Sequence, residues 1–280
     1  PGRIVLDHAG NEIGRLARPQ IATSWNRLFE LLGGALGAPA YHLGRDLVRV
    51  SEDADGVTAH FSDGASETGD VLVGADGFRS AVRGQLLPEV QPQYAGYVAW
   101  RGLVDERDAV AAMGEDVFAH LSFHLPPGEQ FPGYPVAGAG NDLRPWHRSW
   151  NIVWYRPADA DRDLPRLLTA DTGKRHELSI PPPLIARGTI GEMRDAVARL
   201  LPPQFRAAMD KAQQPFLQPI YDLESTAMAV GPVAPVGDAA FVVRPHGRCG
   251  AVKAADDAAA LAQARAQAAP QPRRLGMGLR

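Results

Sequence analysis

Cysteine is nearly absent from the chain: Cys249 is the only one. A single thiol excludes an intrachain disulfide framework and suits a reducing cytoplasm. No charge sign dominates, because 29 Lys and Arg stand against 32 Asp and Glu for a net −3. That balance gives no electrostatic case for nucleic acid or an anionic membrane surface as a partner. No apolar run reaches the roughly 18 residues that a membrane span needs. Nothing near Pro1 has the layout of a signal peptide, and no internal repeat is visible. What remains is a chain of 280 residues, 45% hydrophobic and 22% charged. Such a chain can bury the core of one large or two ordinary domains. It opens at Pro1 within what reads as a strand, so a truncated start is expected.

Periodicity organises the chain into three stretches. Residues 4–17 read as two short strands joined by a turn at His8, Ala9, Gly10 and Asn11. Ser24 is spaced to cap a helix that puts Leu28, Leu31, Leu32 and Leu36 on one face. Residues 47–61 form a hairpin pattern with its turn at 53–56. VLVGADG (71–77) is a continuous apolar strand stopping at Gly74, the pattern of a buried parallel strand ending in a loop. The middle stretch, from about 91 to 220, carries YAGYVAWRGLV and SWNIVWYR as aromatic, β-branched strands. HLPPGEQFPGYPVAGAG (124–140), rich in glycine and proline, reads as a segment containing turns between strands. A helix over 190–201 is stopped by Pro202 and Pro203. From Val233 the pattern returns to strand, glycine loop and an Ala-rich helix over 250–268. The last residues lack periodicity.

Two segments carry chemistry. In VGDAA an apolar strand delivers Gly237 and Asp238 at its carboxyl end, where open α/β sheets bind ligands. A short carboxylate there accepts hydrogen bonds from ribose or ribityl hydroxyls. Pro245 stiffens the following loop. The helix opening at Gly250 and Ala251 aims free N–H groups and a positive dipole end at a ligand, where they stabilise negative charge. The plainer alternative is an ordinary strand–loop–helix. GADGFRSAVR repeats the theme: Asp76 and Gly77 follow a second apolar strand, and Ser80 is spaced to cap a short helix bearing Arg83. Arg83 pairs with the Asp or a phosphate on one reading and is a solvated arginine on the other.

Together these segments resemble a known family. GADGFRSAVR is similar to the second nucleotide-contact motif of flavoprotein monooxygenases of the para-hydroxybenzoate hydroxylase type. VGDAAFVVRPHGRCGAVKAADDA resembles their C-terminal flavin motif. PQYAGYVAWRG, with RPH and the lysine of VKAADDA, most resembles the dihydroxypyridine hydroxylase branch. The likeness runs from about Ile4 to about Ala264.

The resemblance implies a mixed α/β fold, with an FAD/NAD(P)-binding Rossmann-like domain incomplete at its N-terminus and an inserted β-sheet substrate domain. The implied domains are 1–90 (FAD-binding, first part), 91–220 (substrate-binding sheet) and 221–280 (FAD-binding, second part, with the C-terminal helix). The implied activity is hydroxylation of a small phenolic or N-heteroaromatic ring. FAD is the cofactor, NADPH or NADH the reductant, and oxygen the co-substrate. A cytoplasmic location is expected, and a homodimer is compatible with the family.

Residue by residue, Asp238 with Gly237 would contact the ribityl or ribose side, and Pro245 would lie beside the isoalloxazine. Gly250 and Ala251 would begin the helix facing the pyrimidine edge. Asp76 and Gly77 would sit near the pyrophosphate, with Arg83 supporting that loop. His246 would act as acid or base toward substrate, with loop packing as its alternative. Three features depart from the family pattern. The opening GxGxxG unit is absent, Trp25 stands where many relatives carry arginine, and Arg248 and Cys249 are bulky where the backbone should approach the flavin. An inactive truncated form that binds FAD weakly or not at all therefore stays open, as does another FAD-dependent oxidoreductase on the same scaffold. Trp100, Trp146, Trp150, Trp154 and Tyr155 are candidates for an aromatic pocket or for the core. The histidines show no metal-ligand spacing.

Overall fold

A computed structural model describes residues 2–19, 23–36, 41–54, 56–212, 214–245 and 250–268. The chain divides into two compact units, one of residues 1–41 with 94–220 and one of residues 42–93 with 221–280.

The first unit is a mixed sheet packed by helices. Its strands are β1 (Arg3–Leu6), β2 (Glu12–Leu16), β7 (Gln93–Asp105), β8 (Leu121–His124), β9 (Phe131–Val136), β10 (Ser149–Pro157) and β11 (Phe216–Glu224). They lie in the order β11-β7-β10-β9-β8-β1-β2. Alternation decides which side is buried: Val98, Trp100 and Val104 of β7 and Trp150, Ile152 and Trp154 of β10 enter the main core. There they meet α3 (Glu106–Ala119), α4 (Asp163–Leu167), α5 (Arg187–Leu200) and α6 (Pro203–Lys211). Phe131 stacks on Phe205 with ring centroids 4.7 Å apart. Each such fully buried ring contributes roughly 2–3 kcal/mol of transfer free energy. Three of the weighed tryptophans, Trp100, Trp150 and Trp154, are thus core residues.

Three features stand out beside the sequence expectation. Within the Pro- and Gly-rich segment 124–140, residues 131–136 form a strand, β9, paired on both sides. Gly133 makes this possible, since a Cβ there would lie 2.0 Å from the Trp150 ring. Residues 1–41 cluster with the large sheet, whereas the sequence reading groups them with 42–90; the reason is parallel pairing of β1 with β8. Helix α1 (Trp25–Leu36) forms where expected, with Ser24 Oγ accepting the Arg27 N–H at 3.2 Å. None of its residues is buried, and Leu31, Leu32 and Leu36 are exposed.

The second unit holds the hairpin sheet β3 (Leu47–Asp53), β4 (Gly56–Phe61) and β5 (Ser66–Gly69). It also holds a two-stranded parallel sheet of β6 (Leu72–Gly74) and β12 (Val233–Pro235). Helix α2 (Ala81–Leu86) follows β6, and β13 (Phe241–Val242) pairs with the end of β11. The long helix α7 (Gly250–Ala268) ends the described chain.

Candidate nucleotide-binding site

Both chemical segments lie in the second unit, and the β6–β12 pairing brings them together. Val233 faces Leu72, Ala234 faces Val73 and Pro235 faces Gly74 in parallel register. Both loops therefore leave the same carboxyl edge, where α/β sheets hold ligands. The Val236 N–H donates to Gly74 O at 2.9 Å and extends the pairing to the loop itself. Gly74 must be glycine, because a Cβ would lie 2.8 Å from Val82 Cγ1 on α2.

In the first loop, Gly77 has φ +76 and open space in its Cβ direction. Asp76 is exposed, and its Oδ2 accepts the N–H groups of Ala81 (2.7 Å) and Val82 (3.2 Å). Ser80 caps α2 by accepting the Arg83 N–H at 2.8 Å. Arg83 is 4% exposed and is the tie between the loops. Its Nη1 donates to Ala239 O at 2.8 Å and its Nη2 to Phe78 O at 2.6 Å. Burial lowers the Arg83 pKa from its ordinary value, with the Asp76 charge opposing. Phe78 packs on Tyr221 at 5.3 Å between centroids, and burial pushes the Tyr221 hydroxyl up.

In the second loop, Gly237 and Asp238 open a short 3-10 turn over Gly237–Ala239. Gly237 has φ +59 and is buried; a Cβ would lie 3.2 Å from Ala254 Cβ of α7. Its N–H donates to Asp257 Oδ2 at 2.9 Å, and Lys253 Nζ donates to the same oxygen at 2.6 Å and to Gly237 O at 3.4 Å. Burial pushes the Asp257 carboxyl up, but the hydrogen bonds from Lys253 and Gly237 outweigh it and hold the group below its ordinary value. The Asp238 side chain is exposed, while Ala239 and Ala240 are fully buried. Pro245 is the last described residue before α7, which opens with Gly250 and Ala251.

Of the expected site residues, Asp76, Gly77, Arg83, Gly237, Asp238, Pro245, Gly250 and Ala251 all fall in this unit. His246, Arg248 and Cys249 lie outside the described residues. The Lys253–Asp257 clamp was not foreseen as a support for Gly237. Its i,i+4 spacing is readable in sequence, but its partner twenty residues away is not. Beside Pro245, Arg244 forks onto Asp222 with Nε and Nη2 at 2.6–3.0 Å, a pairing with no sequence signal. Among the described residues no cluster of His, Cys, Asp and Glu is arranged to hold a metal ion. No described helix is long and apolar enough to cross a membrane.

The comparisons with known proteins agree on the class. A family model described as FAD binding domain-like matches residues 94–222. The chain is similar to FAD-dependent aromatic hydroxylases, and its mixed α/β architecture resembles theirs. Among relatives, it is 30% identical to 2,6-dihydroxypyridine 3-monooxygenase of Paenarthrobacter nicotinovorans over 91% of this chain and 63% of that protein. Among solved structures, 2,6-dihydroxypyridine-3-hydroxylase from Arthrobacter nicotinovorans superposes with a TM-score of 0.82 at 30% identity, over 93% of this chain and 65% of that one. Klebsiella pneumoniae HpxO, solved with FAD and uric acid, gives a TM-score of 0.63 at 25% identity, over 93% of this chain and 62% of that one. The chain thus spans just under two thirds of the length of these relatives.

Proposed function

We propose that the protein is an FAD-dependent monooxygenase that uses NADPH or NADH and oxygen to hydroxylate a small phenolic or N-heteroaromatic compound. The observation that carries this reading is the parallel pairing of β6 with β12, which sets two Asp-Gly loops side by side at one sheet edge.

The residues present fit a flavin nucleotide. Gly77 and Gly250 have nothing within 4 Å of their Cβ directions, so ligand atoms can approach the backbone there. The exposed Asp238 carboxylate offers acceptors for ribityl or ribose hydroxyls. Asp76 and Gly77 would stand near the pyrophosphate, and Arg83 keeps both loops in register. Gly250 and Ala251 would present unpaired helix N–H groups to the electron-rich pyrimidine edge, where Pro245 flanks the ring. His246 is assigned the acid–base role toward substrate. Bound FAD would supply the redox centre at which oxygen is activated. A cytoplasmic setting fits the need for a nicotinamide reductant, and a homodimer fits the family.

The test is product analysis. The chain loaded with FAD is mixed with NADPH or NADH and 2,6-dihydroxypyridine or a related phenol. The expected result is substrate-dependent oxidation with one oxygen atom gained by the ring. Nucleotide oxidation with no hydroxylated product from any member of the panel overturns the monooxygenase reading.

A further inference from the structure

Helix α5 borders a cavity of about 390 Å³ on the side of the large sheet that the helices pack. Its floor is Val98 and Trp100 of β7 with Met193 and Ala196 of α5, all core residues. The opposite wall is the end of β10 at Arg156 and helix α4 at Arg166 and Leu167. Every lining residue belongs to the first unit, and none is among the residues expected to hold flavin. A cavity in this range accommodates a small molecule.

Helical spacing explains the wall that α5 supplies. Thr189, Met193 and Ala196 recur at three- and four-residue steps and face inward, while Glu192, Asp195 and Arg199 recur on the flank that forms the rim. Thr189 is 5% exposed, and among the described residues its hydroxyl has no hydrogen-bond partner. Buried hydroxyls are normally satisfied, because desolvation otherwise goes uncompensated. Most of the rim charges are matched: Arg166 donates to Glu192, Arg156 Nε donates to Glu129 at 3.1 Å, and Asp163 accepts from Arg162. Asp195 and Arg199 differ. Their i,i+4 spacing suits an ion pair, yet among the described residues neither side chain is bonded to the other or to a third group. In the lining as a whole, Arg156, Arg166 and Arg199 balance Asp163, Glu192 and Asp195, so the summed field favours neither a cation nor an anion. An unpaired carboxylate and an unpaired guanidinium on one rim, above an apolar floor, call for a ligand that carries both charges.

We propose that this cavity binds a free α-amino acid as its zwitterion. The ammonium donates to Asp195, the carboxylate accepts from Arg199, and the side chain lies on Trp100 and Met193. Thr189 stands about 9 Å from Asp195 along the α5 axis, six residues at roughly 1.5 Å each. A side chain that is apolar along its length and ends in an N–H or O–H spans that distance and meets the Thr189 hydroxyl. The Arg166–Glu192 ion pair ties α4 to α5 and keeps the two walls in place. The site is independent of the hydroxylase reading.

L-Tryptophan, tryptamine and indole-3-propionate share a ring and differ in which charges they carry, and calorimetric titration of each into the 280-residue chain tests the site. Tryptophan is expected to bind at least about ten-fold tighter than either single-charge analogue. Asp195→Asn is expected to remove its advantage over indole-3-propionate, and Arg199→Gln its advantage over tryptamine. 3-Benzothienyl-L-alanine puts sulfur where the indole N–H stands. It is expected to bind about three- to ten-fold more weakly than tryptophan to the wild type, and equally well to Thr189→Val. Urea midpoints confirm that each variant folds. Equal affinity of the wild type for the three indoles, no binding of any, or a tryptophan preference undiminished in Asp195→Asn or Arg199→Gln overturns the proposal. Each of these results leaves the hydroxylase reading standing, because ring oxidation is measured separately.

Discussion

Asp257 accepts the Gly237 N–H through Oδ2 at 2.9 Å, so a carboxylate on the second turn of α7 holds the glycine that opens the GDAA turn. Burial raises this carboxyl, while Lys253 and the Gly237 N–H together lower it further. Its folded pKa is therefore below the ordinary 3.8. The resulting stability is fully present above that value and is lost as the pH falls through the lower folded one. Asp257→Ala is expected to cost about 1–3 kcal/mol at neutral pH by urea unfolding. The gap between variant and wild type should narrow as the pH drops below 3.8.

Arg83 joins the two loops through carbonyls that lie in different directions, which a planar fork satisfies and a single ammonium does not. Arg83→Lys is expected to cost about 2–3 kcal/mol. The loss should appear in the urea midpoint and in faster hydrogen exchange over residues 76–80 and 237–240. An unchanged exchange pattern would show that the loops hold their register without it.

Glu106 is 3% exposed and accepts from Trp146 N at 2.7 Å, from Arg148 N, and from the Arg148 guanidinium. The Arg148 side chain is the main cause that holds the Glu106 carboxyl below its ordinary 4.5. Glu106→Gln is expected to lose about 3 kcal/mol at pH 7, near the low end for a buried pair because Arg148 keeps part of its surface in water. The difference is complete above pH 4.5 and disappears as the pH falls through the folded value. Thermal unfolding at a series of pH values measures it.

Two backbone positions should respond in opposite directions. Gly133→Ala drives a methyl into the Trp150 ring and is expected to cost about 3 kcal/mol or more. Trp146 has φ +71 and is half exposed, so Trp146→Gly should relieve roughly 1 kcal/mol of left-handed strain. Denaturant midpoints of the two variants give both values.

The local features of the fold were legible in sequence because they depend on neighbours along the chain. The apolar run ending at Gly74, the strand opening at Val233, the Ser24 and Ser80 caps, and the aromatic strands β7 and β10 all form where periodicity predicts. Pairing over long separations was not legible. Nothing in residues 3–6 announces that β1 lies parallel to β8, more than a hundred residues later. Within the Pro- and Gly-rich stretch, which strand runs where depends on a distant ring, since Gly133 of β9 lies against Trp150. The leucines of α1 share one helical face in sequence, and periodicity alone does not say what that face meets: Leu31, Leu32 and Leu36 are exposed. For the candidate site, the motif residues were visible but their supports were not. Asp257, Lys253 and the Arg83 carbonyl contacts depend on how two distant loops meet. Thr189, Asp195 and Arg199 carry no motif, and only the packing of α5 beside α4 and β10 sets them around one cavity.

The most direct test of the nucleotide site is flavin retention. The purified chain is incubated with FAD, desalted and examined for the visible flavin spectrum, beside Asp238→Ala and Gly77→Val. The wild type is expected to stay yellow with near-stoichiometric flavin, and both variants to bind at least about ten-fold more weakly; Asp238→Ala should keep its unfolding midpoint, while Gly77→Val, at φ +76, should lose about 1–2 kcal/mol to left-handed strain. A folded wild-type chain that emerges colourless, or variants that retain FAD as well as it does, would contradict the account.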